Sequence, residues 1–119
     1  MRSRFPVYLF AAALLMVFAG GYLIAAENEQ VIKITAKRFE YSPKEITVKK
    51  GVPVVLEFTS LDRLHGFDCP ELKIRTDIRP GKVSRVRFVP DRVGTYPFHC
   101  DNFCGTGHEG MRGTIKVVE

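Results

Sequence analysis

The stretch GTYPFHCDNFCGTGHEGMRGTIKVV, residues 94–118, joins two alternating apolar runs through a loop rich in metal-binding side chains. The runs GTYPFHC and GTIKVV alternate with a period of two, which predicts β-strands that each bury one face. Between them, residues 100–111 hold two thiols, an imidazole and a thioether. The sequence therefore predicts a loop between two neighbouring strands, and a rigid sheet at both ends allows such a loop to fix ligands of short spacing.

The sequence before residue 94 contains more short alternating runs, separated by Gly, Pro and Asp residues. Inward-facing positions are expected in VIKIT, KEITVKKG and PVVLEFTS: Ile32, Ile34, Ile46, Val48, Val54, Leu56 and Phe58. Strands of this length, with turn signals about every ten residues, predict an all-β fold, an antiparallel sandwich or barrel. The least regular segment, AKRFEYSPKE (residues 36–45), is predicted to cross between sheets.

The N-terminal segment, residues 1–26, is predicted to be an apolar helix. Residues 7–26 carry no charge and follow two arginines. A membrane-spanning helix needs about 20 apolar residues and a signal peptide about 7–15, so a transmembrane anchor is favoured. An Ala-Ala pair at the end of the run leaves a cleaved signal peptide as the alternative. Either way, the positive flank predicts that residues 27–119 form one exported domain on the periplasmic face of the membrane.

The basic charge of the chain does not indicate a nucleic-acid partner. The formal net charge is +5, and the two N-terminal arginines contribute part of it. The remaining basic residues alternate with apolar ones, as in KVSRVRF, which is typical of the solvated face of a strand. Export of the domain also argues against nucleic acid as a partner.

The donor atoms in residues 100–111 favour copper among the candidate chemistries. Thiolate and thioether prefer Cu(I), and imidazole suits copper or zinc. Methionine is a poor zinc ligand, so a zinc site becomes unfavourable if Met111 is a ligand. A disulfide or a nucleophilic cysteine would also use these thiols, but three cysteines leave an odd one under any pairing.

A further ligand is expected upstream, in LHGFDC, where His65, Phe67 and Cys69 share one face of a short strand. A mononuclear copper site uses two histidines, one cysteine and a weak methionine. That set does not use Cys100. Cys100 would then be structural, bonded to another cysteine, or a bridge between two copper ions together with Cys104. Cys69 is interpreted as a small buried apolar residue, and His99 as a surface residue.

These residues carry a family resemblance. LHGFDCPEL, followed by RPGKVSRVRFVPDRVGTYPFHCDNFCGTGHEGMRGTIKV, resembles the CuA domain of cytochrome c oxidase subunit II of the short bacterial type, and is similar to that of nitrous-oxide reductase. The resemblance spans residues 27–119 and implies a cupredoxin fold, a Greek-key β-sandwich. It implies a binuclear copper centre with these ligands: Cys100 and Cys104 bridging both ions, His65 and Met111 on one, His108 and the backbone carbonyl of Asn102 on the other.

The function implied by the resemblance is one-electron transfer. A cytochrome c-like donor would supply the electron, and the catalytic subunit of a haem-copper oxidase would receive it. Three departures leave alternatives open: subunit II usually carries a magnesium-binding glutamate at the position of Asn102, the chain has no tryptophan, and it has at most one membrane helix. The alternatives are a free-standing exported copper-binding or copper-delivery protein and a mononuclear cupredoxin. In each case the chain itself holds no expected catalytic centre.

Overall fold

The computed structural model describes residues 28–119, which form two β-sheets with one hydrophobic core between them. The strands of these residues, in chain order, are β1 (Gln30–Lys37), β2 (Glu40–Ser42), β3 (Glu45–Lys49), β4 (Val54–Ser60), β5 (His65–Cys69), β6 (Ile74–Ile78), β7 (Ser84–Phe88), β8 (Gly94–His99) and β9 (Arg112–Val118). One sheet has the order β2-β1-β4-β7 and the other β3-β9-β8-β5-β6. The predicted all-β sandwich is therefore confirmed.

The alternating pattern of the sequence becomes the two faces of each strand. In β4, Val54, Leu56 and Phe58 are fully buried, as predicted, and the intervening residues are partly exposed. Phe58 of one sheet contacts Phe67 of the other, with 4.6 Å between ring centroids. Burial of such large apolar side chains is the main favourable contribution to folding, about 25 cal/mol per Å² of apolar surface.

The two sheets are not purely antiparallel, and in this respect the sequence-based expectation was wrong. β1 pairs with β4, and β3 pairs with β9, in parallel register. The predicted crossing in residues 36–45 explains the first pair: the chain makes the short β1–β2 hairpin and then passes to the other sheet to begin β3. Parallel neighbours need such a long connection, whereas a tight hairpin would have made them antiparallel.

The predicted helix of residues 1–26, and with it the boundary of the exported domain, lies outside the described residues. Within residues 28–119, two short 3₁₀ turns are the only helical segments, at Pro70–Leu72 and His108–Gly110. No helix in this part of the chain is long and apolar enough to cross a membrane.

The strand pair β8–β9 holds the donor-rich loop, residues 100–111, at both ends. The two strands are antiparallel neighbours, with His99 opposite Arg112. Beyond this pair, the backbone N–H of Cys100 donates to the carbonyl of Met111 at 3.0 Å, which closes the base of the loop. A Cβ atom on Gly113 would collide with the Lys44 carbonyl and the Phe98 ring, so only glycine fits at the second residue of β9.

Replacement of Phe67 by alanine is expected to reduce the free energy of unfolding of the copper-free protein by about 3–5 kcal/mol, because the ring is fully buried between the sheets. The matched change Phe103→Ala removes a ring that is 72% exposed, and should cost less than about 0.5 kcal/mol. Urea denaturation of both variants checks this. Equal losses would mean that Phe67 does not hold the sheets together.

Candidate metal centre

Three of the predicted ligands form one buried cluster. His65, Cys100 and Cys104 offer ligand atoms that all lie within 4.8 Å of one another. His65 begins β5, Cys100 follows the end of β8, and Cys104 lies in the donor-rich loop. Because β5 and β8 are neighbouring strands, the sheet brings a histidine from the middle of the sequence to the two thiols near its end.

The other three predicted ligands lie around the two thiols. His108 Nδ1 is 3.5 Å and Met111 Sδ 3.9 Å from the Cys104 sulfur. The backbone carbonyl oxygen of Asn102 is 3.2 Å from the Cys100 sulfur. Thus the structure brings all six predicted donor groups together at one end of the sandwich.

One ring nitrogen of His65 is available to a metal ion. Its Nε2 lies 2.7 Å from a carboxylate oxygen of Asp62, which fixes the proton on that nitrogen. Its Nδ1 is the only buried side-chain nitrogen or oxygen of the described residues that has no hydrogen-bond partner. A buried, unpartnered imidazole nitrogen is costly, and a metal ion would satisfy it. The donor set, two thiols, two imidazoles and a thioether, suits copper.

Asp62 was missed by the sequence-based reasoning. Its carboxylate accepts backbone N–H bonds from Arg38 at 2.8 Å and Arg63 at 2.7 Å, besides facing His65. Burial acts to raise the pKa of Asp62, but the hydrogen bonds from Arg38 and His65 prevail and lower it to about 2. The carboxylate is therefore ionised at neutral pH and orients the imidazole. The available signal was an Asp three residues before the His in LDRLH.

The Cys104 thiol holds its proton in the metal-free protein. Burial, together with the neighbouring Cys100, raises the pKa of Cys104 to about 11. Metal binding at the Cys104 sulfur must therefore release a proton, which makes affinity dependent on pH. All three cysteines are free thiols; Cys69 is fully buried, and burial raises its pKa to about 11 as well. Cys69 is not part of the cluster of His65 and the other two thiols.

The side chains of Asn102 and His99 are directed elsewhere. The side-chain amide of Asn102 donates to Asp77 at 3.2 Å and to the His65 carbonyl at 3.4 Å. The backbone carbonyl of Asn102 lies beside the Cys100 sulfur. His99 is partly exposed, and its Nε2 lies 3.6 Å from an Asp68 carboxylate oxygen on the outer face of the sheet. His99 lies at the surface, as the sequence predicts.

Residues 8–117 match the model of the cupredoxin-like domain family. The chain belongs to this family. It is 39% identical over 92 residues to cytochrome c oxidase subunit 2 of Thermus thermophilus. The match covers 77% of this chain and 68% of that protein. The likeness to nitrous-oxide reductase of Cupriavidus necator, 35% over 92 residues, covers 74% of this chain but 14% of that enzyme.

The fold is shared with a solved structure, the periplasmic domain of subunit II of cytochrome oxidase (CoxB) of Bradyrhizobium japonicum. The TM-score is 0.70 at 22% identity, and the match covers 76% of this chain and 84% of that one. Together with the two sequence relatives, this confirms the resemblance to oxidase subunit II and to nitrous-oxide reductase that the ligand run predicts.

The change Asp62→Asn is expected to weaken copper binding by about 10–100-fold, because the amide cannot replace the ionised carboxylate that orients His65. The control Asp91→Asn removes one charge from an exposed loop residue and should leave affinity unchanged. Competition titration with a Cu(I) chelator measures both. Wild-type affinity in Asp62→Asn would contradict a role for the carboxylate in copper binding.

Proposed function

We propose that this chain is a copper-binding electron-transfer protein with a binuclear CuA-type centre. Its homology to oxidase subunit 2 supports copper electron transfer. The proposed ligands are the following six: His65, Cys100, the backbone carbonyl of Asn102, Cys104, His108 and Met111. Bound copper would supply a one-electron couple at this site.

The observation that carries the proposal is the position of the second thiol. A mononuclear site of this type uses one cysteine, and the other would then be free to pack elsewhere or to form a disulfide. Instead, Cys100 and Cys104 are both free, both buried, and both within 4.8 Å of the same imidazole. The six donors, two of which are the adjacent sulfurs, exceed the four that one copper ion uses, and they would suit two ions that share both thiolates.

The chain contributes rigidity and exclusion of water. Cys104, Met111 and His65 are fully buried, so solvent does not reach these donors. The loop is closed at its base, and Asp62 fixes the His65 ring before any metal binds. Ligands that are held in this way move little when the charge of the site changes, which favours fast electron transfer. His108 is only partly buried and connects the site to the surface.

The proposed partners are a cytochrome c-like donor and the catalytic subunit of a haem-copper oxidase. The relation to subunit 2 supports this assignment, and the solved relative is a periplasmic domain, which supports an exported location for this chain. Residues 1–26 would attach the domain to the membrane. The role of the chain in such a complex would be electron transfer alone.

The second candidate is a free-standing exported copper-binding or copper-delivery protein. One observation favours it: the side chain of Asn102, at the position where subunit II usually has a glutamate that binds magnesium, is engaged with Asp77 and the His65 carbonyl. The magnesium ion that this glutamate helps to hold where subunit II meets the catalytic subunit would then be missing.

The full chain, purified reduced and loaded with copper, is expected to bind two coppers. Its electron paramagnetic resonance spectrum should show hyperfine splitting spread over both nuclei. In Cys100→Ser, the shared signal should disappear, since one bridging sulfur is lost. One copper per wild-type chain with splitting from one nucleus, and an intense blue colour that survives in Cys100→Ser, would establish a mononuclear cupredoxin instead.

Affinity purification of the tagged full chain from membranes of its native host is expected to bring haem with it. Reduced cytochrome c should then reduce the copper and the haem in turn, which rapid-mixing absorption spectroscopy resolves. A variant such as Asp91→Asn serves as a control for the tag and the solubilisation. Purification without haem, combined with transfer of copper to another protein, would favour the copper-delivery function.

A further inference from the structure

We propose that the turn between β1 and β2, at Arg38 and Phe39, is a positioning element of the metal centre. It would hold the segment from Cys104 to His108 in its ligand-binding conformation before metal arrives. The proposal rests on metal binding at the proposed site, but not on the number of copper ions.

The backbone of Phe39 has a conformation that normally selects glycine. Its φ is 121°, one of two positive values among the non-glycine residues that the structure describes. For a bulky aromatic residue this is a true outlier, and such outliers persist where the surroundings enforce them, often at functional sites. The presence of a phenylalanine instead of glycine points to a use for the ring.

The Phe39 ring lies against the backbone of the loop on both sides of Thr106. A Cβ atom on Gly105 would come within 3.3 Å of the tip of the ring, and one on Gly107 within 3.1 Å of its edge. Both glycines have positive φ values, 133° and 115°. Since glycine has the most backbone freedom, a loop segment with two of them needs outside support to keep one conformation. The ring provides this support.

Arg38 holds the same segment at its other end. Its Nε donates to the backbone carbonyl of Cys104 at 3.0 Å, and the guanidinium group of Arg63 lies 3.5 Å from that oxygen. The backbone N–H of Arg38 donates to Asp62, whose carboxylate faces His65. The turn therefore contacts both halves of the site: the thiol loop through its side chains, and the upstream histidine through Asp62.

Phe39 lies outside the set of ligands, so its role can be separated from simple stability. The pair Phe39→Gly and Phe39→Ala removes the ring in both cases, but glycine relieves the backbone strain and alanine keeps it. We expect Phe39→Gly to unfold at a higher urea concentration than Phe39→Ala. Both should show the same local defect in the loop.

The first measurement is amide hydrogen exchange of the copper-free full chain at His108 and Gly110, whose N–H groups bond to the carbonyls of Gly105 and Gly107. In Phe39→Gly, exchange there should become about tenfold faster, whereas exchange in β4 and β9 remains as in wild type. The affinity of Phe39→Gly for copper should be lower than that of wild type. The visible absorption bands of the copper-loaded variant should also be shifted.

The second variant is Arg38→Met, which keeps an unbranched side chain out to the position of Nε and removes the hydrogen bond to Cys104. It should produce the same local increase in exchange and the same direction of spectral shift. Its control, Arg87→Met, removes an exposed guanidinium group of β7 that pairs with Glu29, and should change neither the local exchange nor the spectrum.

Wild-type exchange at His108 and Gly110 in both Phe39→Gly and Arg38→Met would overturn the proposal. A uniform rise of exchange throughout the protein would also overturn it, since the turn would then support only the fold. If Phe39→Gly does not fold, Arg38→Met decides alone. A wild-type chain that binds one copper would disprove the binuclear centre, but the exchange data of the copper-free protein would still decide the role of the turn.

Discussion

The hydrogen bond from the Cys100 N–H to the Met111 carbonyl is the contact on which the site depends. It extends the β8–β9 ladder by one step and makes the first and the last donor of the loop neighbours. Every donor between them must then lie within a closed loop at one end of the sandwich. The register of β8 and β9 is fixed, because the position of Gly113 has no room for a side chain against Phe98 and the Lys44 carbonyl.

Two polar networks support the site from opposite sides. On one side, Asp62 joins the backbone of Arg38 and Arg63 to His65. On the other side, the Arg75 guanidinium lies 2.6 Å from the carboxylate of Asp101 and 2.8 Å from that of Asp77. Asp77 also accepts a hydrogen bond from the side-chain amide of Asn102. The Arg75 guanidinium lowers the pKa of Asp77, so this network remains charged at neutral pH.

The two networks have different consequences for copper. The Asp62 network sets the orientation of the His65 imidazole, a proposed ligand, and, through Arg38, the position of the Cys104 backbone. The Arg75 network sets the orientation of Asn102. Its side-chain amide is bound to Asp77 and the His65 carbonyl, and its backbone carbonyl faces Cys100. A Cβ atom on Gly66 would displace the Asp101 carboxylate from its position beside Arg75. The proposed ligands are thus held in place without metal, although the Cys104 thiol remains protonated until metal displaces its proton.

Much of the fold and of the donor set follows from the sequence alone. The period of two placed Leu56 and Phe58 in the core, since burial of alternate residues is a local property of a strand. The alternating runs on either side predicted the loop of residues 100–111, and its donor atoms predicted a preference for copper, because ligand chemistry depends on residue type. The parallel pairs β1–β4 and β3–β9 were not predicted, because the choice of a neighbouring strand depends on contacts distant in sequence.

The tertiary structure alone decided how the donors are held. The partner of His65 is Asp62, three residues away, but only the fold turns that carboxylate toward the imidazole and leaves Nδ1 unpartnered. The support of Cys104 by Arg38, across 66 positions in sequence, has no local signal at all. The sequence by itself determined which atoms can bind copper, since that is a property of side chains. Their arrangement was decided by the packing of two sheets, since packing brings distant residues into contact.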